Sequence, residues 1–180
     1  AAAQMDESTA MTIEIAPDGT RQITIDAPIA IRLAHEADLT ELSEMWGPSR
    51  AKTQRHVLRG YFDDHRKGVQ TCHAAEFNGH LVGQLWSRYQ HIDPNISAGR
   101  AVVYLHTLVV APMFRRLGVA EALTQAASRT AAEYKAEYLA IGVDRPNHYA
   151  LRLYENWAFE RYYETVDLRG DLIFLRRRLF

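Results

Sequence analysis

One segment of this 180-residue chain constrains its fold more than any other. An apolar run ends at Pro112, passes through the basic turn Arg115-Arg116 and leads into a long amphipathic stretch that begins near Gly118. This pattern predicts a strand, a turn and a helix whose first backbone N–H groups have no partners within the helix. The positive end of the helix dipole lies beside those N–H groups. The segment therefore predicts an anion-binding site, and a diphosphate suits it.

Small residues at the start of this predicted helix favour a phosphate ligand. Gly118 and Ala120 leave room beside the backbone, and Gly118 tolerates conformations that a Cβ would disfavour. A Walker A loop would need a Gly-Lys-Ser/Thr ending, and a dinucleotide-binding turn would need three spaced glycines with a downstream acid. Neither pattern occurs in this segment. An ordinary strand–turn–helix corner without a ligand is the alternative interpretation.

Length, charge and cysteine content limit the class of protein. A chain of 180 residues fits one domain with a sizeable core. Its formal net charge of -1 argues against a nucleic acid as partner, and the absence of a long apolar run argues against a membrane-spanning helix. Cys72 is the only cysteine, so no internal disulfide forms and a cytoplasmic location is expected. The histidines lack the i, i+4 spacing of zinc-binding helices, so no metal is predicted.

Glycine, proline and asparagine divide the chain into short predicted elements. Residues 1–10 are expected to form a flexible tail, and residues 11–27 an N-terminal hairpin extension. Residues 28–180 are expected to form the main domain. Within it, the patterns predict strands at 29–33, 69–77, 80–89, 101–110, 138–143, 161–168 and 171–179. They predict four helices: one at about 38–46, a second that follows Gly47-Pro48 and ends at Gly68, a third at about 118–135 and a fourth at about 147–157.

The order of these elements predicts the fold class. A helical crossover joins the strands at 101–110 and 138–143, so these two strands should be parallel neighbours. We expect an α/β (α+β) domain built on a single mixed, mostly antiparallel sheet of about seven strands, flanked by four helices.

The turn and helix after Pro112 resemble the acyl-CoA diphosphate loop of the GNAT N-acetyltransferase superfamily. Arg115, Gly118 and Ala120 match the Arg/Gln-x-x-Gly-x-Gly/Ala pattern of that loop. The pair Arg116-Leu117 reverses a common Gly-basic order inside the pattern, which bears on how tightly the diphosphate is held. The resemblance implies acetyl-CoA as the cosubstrate.

A second motif runs from Asn147 to Phe159 and is similar to the superfamily signature Asn-x-x-Ala-x-x-Leu-Tyr-x-x-x-Gly-Phe. Ala158 stands where that signature usually has glycine. The two motifs imply a GNAT-like fold over residues 28–180 and direct transfer of an acetyl group from acetyl-CoA to a primary amine of a small molecule or peptide. A non-catalytic acyl-CoA-binding sensor or interaction module is the alternative. A homodimer is also left open.

The resemblance assigns the cosubstrate to particular residues. Main-chain groups of the strand before Pro112 would face the pantetheine arm, and one N–H would polarise the thioester carbonyl. The turn and helix start would hold the diphosphate, and the amide of Asn147 would steady the arm. The residues expected to bind acetyl-CoA are therefore Leu108, Val109, Val110, Arg115, Arg116, Leu117, Gly118, Val119, Ala120 and Asn147.

Two further residues are expected to move protons. Tyr154 is the candidate donor to the departing thiolate, and packing of its ring on the sheet is the alternative. His106 occupies a position where family members often have glutamate. Its ordinary pKa of about 6.5 suits a base, so the rate should rise through a pKa between roughly 6 and 8. A satisfied core or cleft-wall histidine is the alternative for His106, and Tyr104 is a poorer base because its pKa is normally about 10.

The acceptor is not identified by the sequence. In the GNAT fold the first two helices and the loops at the end of the sheet select it. Here that region carries the aromatic residues Trp46, Tyr61, Phe62, Trp86 and Tyr89. Core packing is the alternative role for each of them.

Overall fold

The computed structural model describes residues 11–15, 21–25, 29–168 and 170–180. Within this part of the chain, β1 (Met11–Ile15) and β2 (Arg21–Ile25) pair antiparallel in a two-stranded sheet of their own. The expected tail at 1–10, residues 16–20 and 26–28, and residue 169 lie outside the described residues.

A seven-stranded sheet forms the centre of the main domain, and its neighbouring strands are antiparallel except at one place. Its strands are β3 (Ala30–Leu33), β4 (Gln70–Phe77), β5 (His80–Arg88), β6 (Val102–Val110), β7 (Tyr138–Asp144), β8 (Glu160–Asp167) and β9 (Gly170–Arg178). They lie in the order β3-β4-β5-β6-β7-β9-β8, with β6 and β7 parallel. The mixed, mostly antiparallel sheet and the predicted parallel pair are confirmed.

Four longer helices flank this sheet, as predicted, and a single helical turn is added. The helices are α1 (Leu39–Glu44), α2 (Pro48–Arg66), α3 (Pro94–Ser97), α4 (Val119–Glu133) and α5 (His148–Asn156). The added turn is α3, and the Asp93 carboxylate caps it by accepting from the Asn95 N–H. Asp38 is the N-cap residue of α1. Its carboxylate accepts from Arg32 and from the His35 N–H, which leaves no side-chain cap on α1.

The helices cover both faces of the sheet. On one face, Val119 and Leu123 of α4 pack with Leu85 of β5 and Leu105 of β6, and α5 joins the same core. On the other face, Leu58 and Phe62 of α2 and Leu42 of α1 pack on Cys72, Ala74 and Trp86. Burial of each leucine, valine or phenylalanine side chain among these stabilises the domain by roughly 2 kcal/mol. The sheet is therefore the middle layer of three.

The end of α4 differs from the prediction. The helix was predicted to extend to residue 135 and so to include Tyr134, but the Tyr134 side chain is 55% exposed and its ring stacks on Tyr89 with centroids 4.1 Å apart. Because Tyr134 follows the last helical residue, Glu133, the helical period that points side chains at the sheet ends before it.

Candidate active site

A β-bulge interrupts β6 in its second half. The pairing with β5 shifts between Gln84 and Trp86, so that two residues of β6 oppose one of β5. Thr107 lies at the shift with a φ of 55°, an uncommon backbone conformation for a β-branched residue. A bulge bends its strand and increases the local twist, so β6 changes direction here.

Beyond the bulge, β6 and β7 diverge. Their parallel pairing ends with Leu105 opposite Ile141, although β6 continues to Val110 and β7 to Asp144. The two strands are therefore not paired with each other over this stretch. The result is a wedge between parallel strands, open at their carboxyl ends.

The backbone of β6 offers polar groups to this wedge. The carbonyl of Val110 accepts a hydrogen bond from Arg115 Nε at 3.1 Å, so it points away from β5. Carbonyls two residues apart point the same way in a strand, and the carbonyl of Leu108 therefore shares this direction. An extended chain placed in the wedge could pair with these groups as an added strand does.

The wedge is part of a large cleft of about 1000 Å³. The end of α1, the last residues of β6 and the starts of α4 and α5 surround it. Its lining includes three cationic and two anionic side chains, so it has a slight positive excess. The lining residues are Glu44, Met45, Trp46, Gly47, Arg50, Leu108, Val109, Val110, Ala111, Pro112, Phe114, Arg115, Arg116, Gly118, Val119, Ala120, Glu121, Asn147, Tyr149, Ala150, Leu153 and Tyr154.

The start of α4 is the anion-binding part of the cleft. Gly118 is the N-cap residue with a φ of 79°, and no side chain caps the helix within the described part of the chain. The first bond inside the helix runs from the Ala122 N–H to the Gly118 carbonyl, at 2.9 Å. The N–H groups of Val119 and Ala120 are consequently free for a ligand, as the sequence suggested. Leu117, also expected to contribute, does not line the cleft, and its side chain is exposed.

Asn147 begins α5 at the side of the wedge. Its side-chain oxygen accepts from the Ala150 N–H at 3.1 Å and so caps the helix. The two N–H donors of the same amide remain for a ligand in the cleft. The capping bond fixes the direction in which these donors are presented.

Tyr154 is both a packing residue and a cleft residue. Its side chain is 5% exposed, and its ring contacts Trp157 and Phe159 edge-on with centroids 5.7 and 5.6 Å away. It also lines the cleft. Burial raises the pKa of Tyr154, with a smaller contribution from Tyr104. The hydroxyl therefore holds its proton at neutral pH and can donate it.

His106 lies beside the cleft but not on its wall. Its Nε2 is 2.9 Å from Gln70 Oε1. The Gln70 amide nitrogen faces two acceptors, the Tyr61 carbonyl and Asp64 Oδ2, each at 3.4 Å, and this sets the amide orientation. Nε2 of His106 must then carry the proton, and its lone pair is on Nδ1, 3.0 Å from the Thr107 hydroxyl.

The surroundings of His106 change the expected pKa. Burial, with a smaller contribution from the positive charge of Arg88, lowers the pKa of His106 to about 4. The ring of Tyr61 from α2 packs edge-on against the imidazole at 5.0 Å. The pKa between 6 and 8 expected from the sequence is therefore too high, because α2 removes water from the ring. His106 is neutral at pH 7.

Several residues that sequence reasoning did not single out belong to the site. Gln70 is fully buried and sets the tautomer of His106, yet no motif marks it. Glu44 is the last residue of α1 and Arg50 lies in the first turn of α2, and both line the cleft. Of the predicted acceptor-side aromatics, Trp46 lines the cleft, whereas Phe62 and Trp86 are core residues.

The described residues form neither a metal site nor a membrane-spanning helix. No group of three or more His, Cys, Asp or Glu side chains among them is placed to hold a metal ion. None of the helices formed by them is long and apolar enough to cross a membrane.

Residues 34–159 match the model of a protein family described as the acetyltransferase (GNAT) family. No curated protein sequence matches the chain significantly.

The chain is also similar in structure to solved acetyltransferases. An N-acetyltransferase from Staphylococcus aureus Mu50 superimposes with a TM-score of 0.68 at 18% identity, covering 86% of this chain and 100% of its own. A ribosomal-protein-alanine N-acetyltransferase from Brucella melitensis gives 0.65 at 21% identity, covering 83% and 99%. A proposed acetyltransferase from Salmonella typhimurium, solved with its cofactor acetyl-CoA, gives 0.66 at 18% identity, covering 84% and 94%. These likenesses show a common fold.

Proposed function

Because the chain belongs to the acetyltransferase (GNAT) family, we propose that it is an acetyl-CoA-dependent N-acetyltransferase. It transfers the acetyl group directly to a primary amine of a small molecule or peptide. The observation that carries the proposal is a single cleft that joins three features: the uncapped start of α4, the wedge between β6 and β7, and the side chain of Tyr154.

Successive parts of the cleft match successive parts of acetyl-CoA, from the diphosphate to the thioester. Arg115, Arg116 and the free N–H groups of α4 would hold the diphosphate. The pantetheine arm would run along β6 toward the bulge, and the Asn147 amide would donate to it. Bound acetyl-CoA supplies the acyl group as an activated thioester.

Residues at the inner end of the wedge would carry out the transfer. A backbone N–H of β6 beside the bulge would donate to the thioester oxygen and stabilise the negative charge that develops there. Tyr154 would donate its hydroxyl proton to the sulfur as the carbon–sulfur bond breaks. The buried position of Tyr154 excludes water that would otherwise supply that proton.

The tautomer of His106 supports a route for the proton of the amine. The Thr107 hydroxyl would accept that proton while it passes its own to Nδ1 of His106. The carbonyl of Gln70 would then stabilise the resulting imidazolium through its bond to Nε2–H. Because the pKa of His106 is lowered to about 4, the imidazole is neutral across the neutral pH range and its lone pair is free, but it is a weak base. The route therefore depends on the bond from Nε2–H to Gln70 to stabilise the imidazolium.

This route predicts specific losses of activity. His106→Ala and Thr107→Val should each lower kcat by about 100-fold, the usual size of a general-base contribution. Thr107→Ser keeps the hydroxyl and serves as the matched control, with kcat close to that of wild type. In wild type, no limb of the kcat–pH profile between pH 6 and 8 should belong to His106, since it protonates only near pH 4. Steady-state kinetics at several pH values test both points.

His106 is instead a structural histidine if His106→Gln and Thr107→Val retain the wild-type kcat while their melting temperatures fall. The proton would then leave through solvent, Tyr104 or an acid on the first two helices.

The proposed function itself is tested with purified protein, acetyl-CoA and a panel of amines. We expect release of free CoA thiol that depends on the amine, together with an acetylated product detected by mass spectrometry. Saturable acetyl-CoA binding without thiol release for any amine class would favour the acyl-CoA sensor or interaction module.

A further inference from the structure

A second concave site lies at the other end of the sheet. Its volume is about 440 Å³, and it is lined by Tyr138, Ala158, Glu160, Arg176, Arg177 and Arg178. Tyr138 pairs with Val102 at the start of β6, whereas the acetyl-CoA cleft begins at Leu108. At about 3.3 Å per strand residue, the two sites are separated by roughly 20 Å. This site, which we call the arginine pocket, is thus distinct from the acetyl-CoA cleft.

Arg176 is held in this pocket by aromatic rings rather than by a carboxylate. Its guanidinium carbon lies 4.7 Å from the ring centroid of Tyr138 and 4.7 Å from that of Tyr162. Tyr162 is itself fixed, because its hydroxyl donates to the Ile96 carbonyl at 2.6 Å. The N–H donors of a guanidinium lie in its plane and remain available when rings pack over it. Among the described residues, none accepts a hydrogen bond from Arg176.

The positive charge of the pocket is only partly offset, because three arginines and one carboxylate line it. Within the described part of the chain, Arg176, Arg177 and Arg178 form no ion pair, although Glu160 stands opposite Arg176 in the strand register. Arg177 donates to two neutral oxygens, the Trp157 carbonyl and the Ser128 hydroxyl, and burial lowers its pKa.

Arginines near this pocket behave differently. Arg161 pairs with Glu155 at 2.7 Å, and Arg100 with Glu137 at 3.6 Å. Unpaired charge is therefore a property of the pocket and not of this whole end of the molecule.

We propose that the arginine pocket binds a phosphate group of a small phosphorylated molecule. Arg176 offers paired in-plane donors of the kind that bind phosphate in a bidentate manner, and Arg178 adds a second positive charge. Glu160 lies at the same pocket and can accept from a hydroxyl of the ligand. The volume exceeds that of phosphate alone and leaves room for the rest of a small ester.

The test uses inorganic phosphate as the probe and the full chain as the sample. CoA is added to every sample at the lowest concentration that saturates its own binding, so that it fills the start of α4 without competing in excess for the arginine pocket, and chloride at equal ionic strength serves as the reference salt. Phosphate should raise the melting temperature of wild type in a saturable manner. Arg176→Gln should weaken the apparent phosphate affinity by about tenfold, as expected for loss of a charge-assisted bidentate contact. Arg161→Gln removes an equal charge from a paired arginine nearby and should behave as wild type.

Arg178→Gln is the second variant, because Arg178 is exposed and its replacement should leave folding intact even if Arg176→Gln does not fold. An identical phosphate response in Arg178→Gln and Arg161→Gln would overturn the proposal, as would the absence of a saturable response in wild type. If CoA itself does not bind, the proposed acetyltransferase function fails, but the comparison of these variants still decides the arginine pocket.

Discussion

Gly118→Asp is expected to weaken acetyl-CoA binding by at least about 100-fold, because it places a carboxylate where the diphosphate would lie. Gly118 lines the cleft and is the N-cap residue of α4. No atom lies within 4 Å of a Cβ built there, so the new side chain enters open space and does not strike the protein. The effect on binding should therefore come from the charge and bulk placed in the diphosphate site and from the backbone conformation, and not from a clash with the protein. Titration of acetyl-CoA by calorimetry, or by the rise in melting temperature, measures it.

Gly118→Asn is the matched control. It has the shape of aspartate without the charge, and asparagine tolerates the left-handed φ of 79° better than most residues. Both variants carry the backbone strain, so the difference between them isolates the repulsion of the diphosphate. Wild-type acetyl-CoA affinity in both variants would show that the start of α4 is not the diphosphate site.

The local parts of this fold could be predicted from sequence because their causes are local. Asn78-Gly79 forms the turn between β4 and β5, and both residues have the positive φ that such a turn requires. The crossover through α4 made β6 and β7 parallel, as chain connectivity requires. The uncapped helix start at Gly118 followed from the residues on either side of it.

The interior of the site depends on contacts between distant segments, and the sequence did not predict it. The residue type of Thr107 does not predict a bulge, because the bulge arises from the register of β6 against β5. The pKa of His106 is lowered because Tyr61, 45 residues earlier in sequence, covers its ring. The resemblance supplied the position of His106, but only packing determines its protonation.

The arginine pocket shows the same limit at the other end of the sheet. The run Arg176-Arg177-Arg178 resembles a solvated charged strand end in the sequence. Strand alternation sends Arg177 to the face of α4, where it meets Ser128, while Arg176 packs on tyrosines of β7 and β8. The neighbours of each arginine in the folded sheet therefore determine which of the three side chains is held in place.

Tyr154→Phe is expected to lower kcat by about 100-fold or more while acetyl-CoA affinity stays within about twofold, since a general acid acts chiefly in the transition state. Phenylalanine retains the ring contacts with Trp157 and Phe159, so the folded structure should be preserved. Burial that raises the pKa of Tyr154 also deprives the departing thiolate of water, and the hydroxyl is then the proton source at hand. Steady-state kinetics with the best amine, together with acetyl-CoA titration, separate the two quantities.

Tyr149→Phe provides the matched control for this prediction, because Tyr149 lies on the same helix and lines the same cleft but is 64% exposed. The same atom is removed, and kcat should change little. If Tyr154→Phe lowers the melting temperature yet leaves the rate per folded molecule at the wild-type value, Tyr154 is a packing residue. The thiolate would then leave without an enzymatic acid, and the backbone N–H of β6 would have to provide most of the catalysis. In that case, substitutions at the Thr107 bulge that displace this N–H should lower kcat strongly.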